Sequence, residues 1–84
     1  MKIAENISWK PLQDKVVAVN VTTGVYFTMN MVASEIWKAI EEGKTEEEIL
    51  NMLNTSYPDI APETIRQDYL EQIAYWESEK LIIV

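Results

Sequence analysis

Gly24-Val25-Tyr26-Phe27-Thr28-Met29-Asn30 runs straight into Met31-Val32-Ala33-Ser34-Glu35-Ile36-Trp37, which joins a strand to a helix without a loop. Residues 25 to 28 are β-branched or aromatic, types that suit a pleated, half-buried surface. Asn30 is a good helix N-cap, because its side-chain oxygen can accept from the backbone N–H two or three residues on. The strand therefore ends where the helix starts. Just upstream, Val16-Val17-Ala18-Val19-Asn20-Val21 is a second β-prone run and Thr22-Thr23-Gly24 a turn. A hairpin thus delivers its second strand directly into helices, and what matters for function is whether that strand has a free edge.

Working outward, Ile7-Ser8-Trp9-Lys10 reads as a short edge strand, with Pro11 and the polar Gln13-Asp14 pair as its connection to the hairpin. Downstream the period changes. Val32, Ile36, Trp37 and Ile40 recur at helical spacing until Gly43, a C-terminal stop. Thr45 and Glu48 have the form of a capping box, followed by the apolar stripe Ile49, Leu50 and Leu53 of a second helix that frays near Ser56 and cannot pass Pro58. Pro62 is favourable in a first turn, and a third helix runs from it to about Ser78. Leu81-Ile82-Ile83-Val84 is a β-prone apolar tail that must pack on the body or pair with a strand. The expected class is α+β and winged-helix-like: an N-terminal three-stranded antiparallel sheet followed by three helices.

The chain of 84 residues, with 48% apolar residues, two Gly and three Pro, has the balance of one packed domain spanning 1–84. There is no Cys and no His, which removes disulfides, thiolate nucleophiles, cysteine metal clusters and the commonest general base and metal ligand. No signal-peptide core or membrane-length apolar run is present, so a cytoplasmic protein is expected. Seven Lys and Arg against fourteen Asp and Glu give a net charge of −7, the wrong sign for holding phosphates. Glu41-Glu42 and Glu46-Glu47-Glu48 read as a solvated helix end and the negative first turn of the next helix, or else as a docking surface for a basic partner. The carboxylates Asp59, Glu63 and Asp68 are scattered over a turn and a helix start, where capping accounts for them. Catalysis by a carboxylate pair needs two groups held together in a cleft, so no enzyme and no cofactor is expected.

Four motifs, in order, carry a resemblance: Thr23-Gly24-Val25-Tyr26-Phe27-Thr28-Met29-Asn30; Ala33-x-x-Ile36-Trp37; Thr45-x-x-Glu48-Ile49; and Ile65-x-x-Asp68-Tyr69-x-x-x-Ile73-x-x-Trp76 ending in Leu81-Ile82. Together they resemble the PqqD family over nearly the whole chain. Met29 stands where the family has Leu, and Lys80 where its last helix usually ends in Gly. The resemblance implies a recognition element of pathways that make ribosomally synthesised, post-translationally modified peptides. Such a domain binds the leader segment of a precursor and presents its core to a modifying enzyme, such as a radical S-adenosylmethionine enzyme, or to a leader peptidase. It also implies that the leader adds as a strand in the groove between the third strand and the third helix. The Tyr-Phe strand and Ile36-Trp37 look closer to lasso-peptide than to pyrroloquinoline quinone pathways.

The residues accommodate that mode independently. An exposed strand edge offers N–H and C=O groups that an extended peptide can satisfy, and side-chain pockets then supply selectivity. Alternation puts Val25, Phe27 and Met29 on one face, with Phe27 and Met29 inside, and Tyr26 and Thr28 on the other. On the third helix, Ile65, Tyr69, Gln72 and Trp76 form one stripe and Leu70, Ile73 and Ala74 an adjoining one; two stripes call for two neighbours. The first half of this helix is the candidate wall, with Arg66 and Asp68 beside it as partners for leader charges. The candidate peptide-binding set is thus Val25, Tyr26, Phe27, Thr28, Ile65, Arg66, Asp68, Tyr69 and Gln72, with Trp9 and Trp37 as packing residues. A non-catalytic adaptor subunit and a winged-helix transcription regulator are the alternatives; the second would need a basic stripe on the third helix, which carries Arg66 as its only cation before Lys80. A monomer is expected, with a strand-exchanged dimer the alternative, and no nucleic-acid or membrane partner.

Overall fold

A computed structural model describes residues 1–84. The elements run β1 (Lys2–Ile3), β2 (Ile7–Leu12), β3 (Lys15–Asn20), β4 (Tyr26–Thr28), α1 (Met31–Glu41), α2 (Glu46–Ser56), α3 (Pro62–Ser78) and β5 (Ile82–Ile83). Strands β2, β3 and β4 form an antiparallel sheet in that order, and the three helices follow it. The α+β class expected from the sequence is the one observed. No helix is long and apolar enough to cross a membrane.

The strand ends shift by one or two residues from the sequence reading, and two of the shifts have a clear cause. Pro11 lies inside β2, opposite Val16, and the strand continues to Leu12. An edge strand tolerates this because a proline needs only to turn its missing N–H away from the neighbour. The turn is therefore Gln13-Asp14 alone, with Gln13 at φ 59°, the backbone sign that a tight two-residue hairpin requires at its first position. Strand β3 stops at Asn20 rather than Val21, because the Asn20 side-chain oxygen accepts from the Thr22 and Thr23 N–H groups at 2.9 and 3.1 Å and bends the chain into its turn.

The helix ends lie at the residues whose chemistry marks them in the sequence. The Asn30 side chain accepts from the Ala33 N–H at 2.9 Å, and Gly43, at φ 83°, ends α1. Thr45 and Glu48 make both bonds of the capping box. Helix α3 starts with Pro62 but has no side-chain cap, so Asp59 is an exposed turn residue without the capping role expected of it. The C-terminal tail both packs and pairs. Leu81 and Ile82 are buried, and Ile82 lies opposite Ile3 in a separate two-stranded sheet of β1 and β5.

The core lies between the inner face of the β2–β3–β4 sheet and the helices. Val16 and Ala18 of β3 enter it fully, as do Trp37, Ile49, Leu53, Tyr69 and Trp76 from the helices. Trp37 is central: it meets Trp76 edge-on at a centroid distance of 5.2 Å and Trp9 at 6.3 Å. Such T-shaped pairs add about 0.5–1.5 kcal/mol each beyond area burial. Trp9 and Trp37 are thus packing residues, as their positions in the sequence implied.

Candidate functional site

Strand β4 pairs only with β3, so its other edge is free. The register decides which groups it offers. The Asn20 N–H donates to the Val25 carbonyl at 2.9 Å, and the Met29 N–H donates to the Val16 carbonyl at 3.0 Å. Bonded and non-bonded pairs alternate in an antiparallel ladder, so Phe27 exchanges its bonds with Ala18. The N–H and C=O groups of Tyr26 and Thr28 then point away from the sheet. Edge pairing by an extended peptide needs such a row of unpaired groups.

The free edge overlooks a cleft of about 520 Å³, bounded by residues 25–30 on one side and by Gln72, Tyr75, Trp76 and Glu79 of α3 on the other. At Asn30, Ala33 and Gln72 the cleft meets a second hollow of about 250 Å³, set between α1 and the first half of α3. Val32, Ile36, Leu53, Tyr57, Ile60, Ile65 and Tyr69 make this second part apolar. Its wall is tied by the Tyr57 hydroxyl, which donates to Glu35 Oε1 at 3.1 Å. Desolvation, and then that bond to an acceptor that favours the neutral phenol, push the Tyr57 pKa above the ordinary tyrosine value. Burial, with the Glu46 charge contributing less, does the same to Tyr69. No cation lines either part of the groove.

A family model described as Coenzyme PQQ synthesis protein D (PqqD) matches residues 15–82. The chain belongs to the PqqD family. Among solved structures it is similar to TbiB1 in complex with the TbiA(beta) leader peptide, at 31% identity and a TM-score of 0.91, with 96% of this chain and 93% of that one covered. A comparison with curated protein sequences gives no match.

Within this PqqD-family fold the residues singled out from sequence fall into three groups. Val25, Tyr26, Phe27 and Thr28 all line the cleft, together with Gln72. Val25 and Tyr26 are exposed, Phe27 is half-buried against the core, and Met29 is fully buried, so Phe27 and Met29 point inward as expected. Ile65, Asp68 and Tyr69 belong to the second hollow; Ile65 and Tyr69 are buried and offer it little more than an edge. Arg66 is elsewhere: it faces α2, 3.9 Å from Glu46, and lines neither part of the groove.

The wall opposite β4 is therefore the second half of α3, whereas the first half was expected. Ile65, Tyr69 and Trp76 turn into the core, and the stripe beside them, Asp68, Gln72, Tyr75 and Glu79, borders the groove. Leu70, Ile73 and Ala74 line no part of it: Leu70 and Ala74 are exposed and Ile73 packs against the core. Tyr75 and Glu79 were missed because a helix facing both a core and a groove shows its apolar side more strongly than its mixed one. Spacing could have found them, since Asp68, Gln72, Tyr75 and Glu79 recur at steps of four, three and four. No group of three or more potential metal ligands comes together anywhere in the chain.

Proposed function

We propose that residues 1–84 act as one recognition unit that binds the leader segment of a ribosomally made precursor peptide and delivers it to a modifying enzyme or leader peptidase of the same pathway. The leader adds as an extra strand to the free edge of β4 and lies in the groove against α3. Its backbone pairs with the outward N–H and C=O groups of Tyr26 and Thr28, and its side chains reach Val25, Gln72, Tyr75 and the apolar hollow beyond. The role is recognition in the cytoplasm, where the precursor is made, without catalysis or a cofactor. A lasso-peptide-type pathway is the first candidate.

The observation that carries this reading is the unpaired β4 edge standing over a cleft that opens into an apolar hollow, in a chain whose similar structure, TbiB1, holds a leader peptide. Main-chain pairing would supply affinity and the pockets selectivity. A regulator that binds DNA is disfavoured by the −7 net charge and by the engagement of Arg66 with Glu46.

The test is a fluorescence-anisotropy titration with the N-terminal halves of short peptides encoded near this gene. Binding in the sub-micromolar to micromolar range is expected. Thr28→Pro, which removes an outward N–H without touching the β3 ladder, should abolish it in a protein that remains folded. Absence of binding by folded protein to any short peptide encoded nearby would overturn the proposal and favour an adaptor subunit.

A further inference from the structure

The charges that border the groove are all of one sign. Glu79 stands at the end against β4 and Asp68 at the end against α1, and no lysine or arginine lies between them. Both carboxylates are exposed, and neither makes an ion pair.

Glu79 is also badly placed for the helix that carries it. It is the C-cap of α3, whose last turn holds no base, and the partial negative charge of a helix C-terminus disfavours an anion there. Glu77 and Lys80 border a different hollow, with Ile82 and Val84, which leaves Glu79 as the charge this helix end offers the cleft. A residue that breaks a local stability rule without a compensating contact points to a task outside the fold.

The spacing converts that task into a ligand. Asp68 and Glu79 are eleven positions apart, close to three full turns, so they project from the same side of α3 about 16 Å from each other. An extended strand rising about 3.3 Å per residue covers that distance in roughly five residues. We infer that the peptide bound in this groove carries a lysine or arginine at each end of an apolar stretch, four to six positions apart, with Glu79 and Asp68 selecting for the two cations and against acidic peptides. This inference rests on the peptide-binding reading above and names the chemistry of its ligand.

Selection of a random dodecapeptide library by messenger-RNA display on this protein tests it, followed by anisotropy titration of one recovered peptide. The recovered binders should be enriched in Lys or Arg pairs at that spacing around apolar residues. Exposed ion pairs are weak, so Glu79→Gln and Asp68→Asn should each weaken binding about two- to fivefold at low salt, and less in about 0.5 M salt. Glu79→Lys should raise the melting temperature, since it suits the helix dipole, while it weakens the cationic peptide and tightens a version of that peptide with Glu in place of its cation. Opposite movement of stability and affinity is what a purely structural Glu79 would not give. Binders that are neutral or acidic at those positions, or unchanged affinity in both neutralised variants, would overturn this inference and leave leader binding standing. Recovery of no binders at all would sink both.

Discussion

The Ser34 hydroxyl stands between Val16 and Met29: it accepts from the Val16 N–H at 2.8 Å and donates to the Met29 carbonyl at 3.3 Å. The ladder between β3 and β4 closes on one side with the Met29 N–H bonded to the Val16 carbonyl, and the hydroxyl substitutes for the reciprocal bond that would close it on the other. The chain can thereby leave the sheet and enter α1 with no stranded polar group. Ser34 is wholly buried, so its removal leaves two main-chain groups without a partner. Ser34→Ala should cost about 1–3 kcal/mol, read as a fall in the urea midpoint of roughly 1 M or more. A midpoint unchanged from the parent would mean that the junction does not depend on this relay.

Lys80 follows the C-cap of α3 with φ 62°, a left-handed conformation in which a Cβ is costly, while the Leu81 N–H bonds back to the Trp76 carbonyl at 2.9 Å. Glycine adopts the same conformation freely. Lys80→Gly should therefore stabilise the chain by about 1 kcal/mol, a gain of about 4–8 °C in melting temperature for a domain of this size. Calorimetry showing no gain would place the strain elsewhere.

The capping box of α2 makes stability depend on pH in the acidic range. The Thr45 backbone and hydroxyl bonds, in that order, hold the Glu48 carboxyl below its usual value, against weaker opposition from desolvation. A lowered folded-state pKa gives a contribution that is present above the unfolded value and is lost as pH falls through the folded one. Thr45→Ala should cost about 1 kcal/mol at neutral pH. Its penalty should shrink as the solution is acidified below pH ~4, which denaturation of the two proteins across pH 3 to 7 would show.

Alkali acts in the opposite direction. Tyr57 and Tyr69 have raised pKa values, both chiefly through desolvation, so their neutral phenols are what the fold holds. Their contribution is complete below the unfolded value near 10 and is lost as pH rises through the higher folded values. Stability should fall above pH ~10, with a shallower fall in Tyr69→Phe, as followed by absorbance of the phenolate and by circular dichroism. An equally steep fall in that variant would show that Tyr69 is not held neutral.

Much of this architecture was legible because local signals agreed with one another. Asn30, Gly43, the Thr45–Glu48 pair and Pro62 each mark a helix end through chemistry confined to a few residues, and each stands where it was read. The features that escaped depend on partners distant in sequence. The pairing of Ile3 with Ile82 spans almost the whole chain, and Pro11 sits in β2 only because that strand is an edge. A serine inside an apolar helix face gave no sign that it would complete a sheet ladder. Along the candidate groove, β4 and Gln72 lie where the sequence places them, but the sequence could not tell which flank of the apolar stripe of α3 would face it. Arg66 was therefore assigned to the cleft, although it faces α2. Register also sharpens the edge itself: Tyr26 and Thr28 present their main-chain groups outward, whereas those of Phe27 are taken by Ala18.

The most direct measurement is residue-resolved amide hydrogen exchange by NMR, with and without saturating leader peptide. Strand addition at β4 requires that the Tyr26 and Thr28 amides, open in the free protein, become strongly protected in the complex, while Phe27, already bonded to Ala18, changes little. Leader binding that protects other segments and leaves the Tyr26 and Thr28 amides exchanging as before would contradict edge addition at this strand.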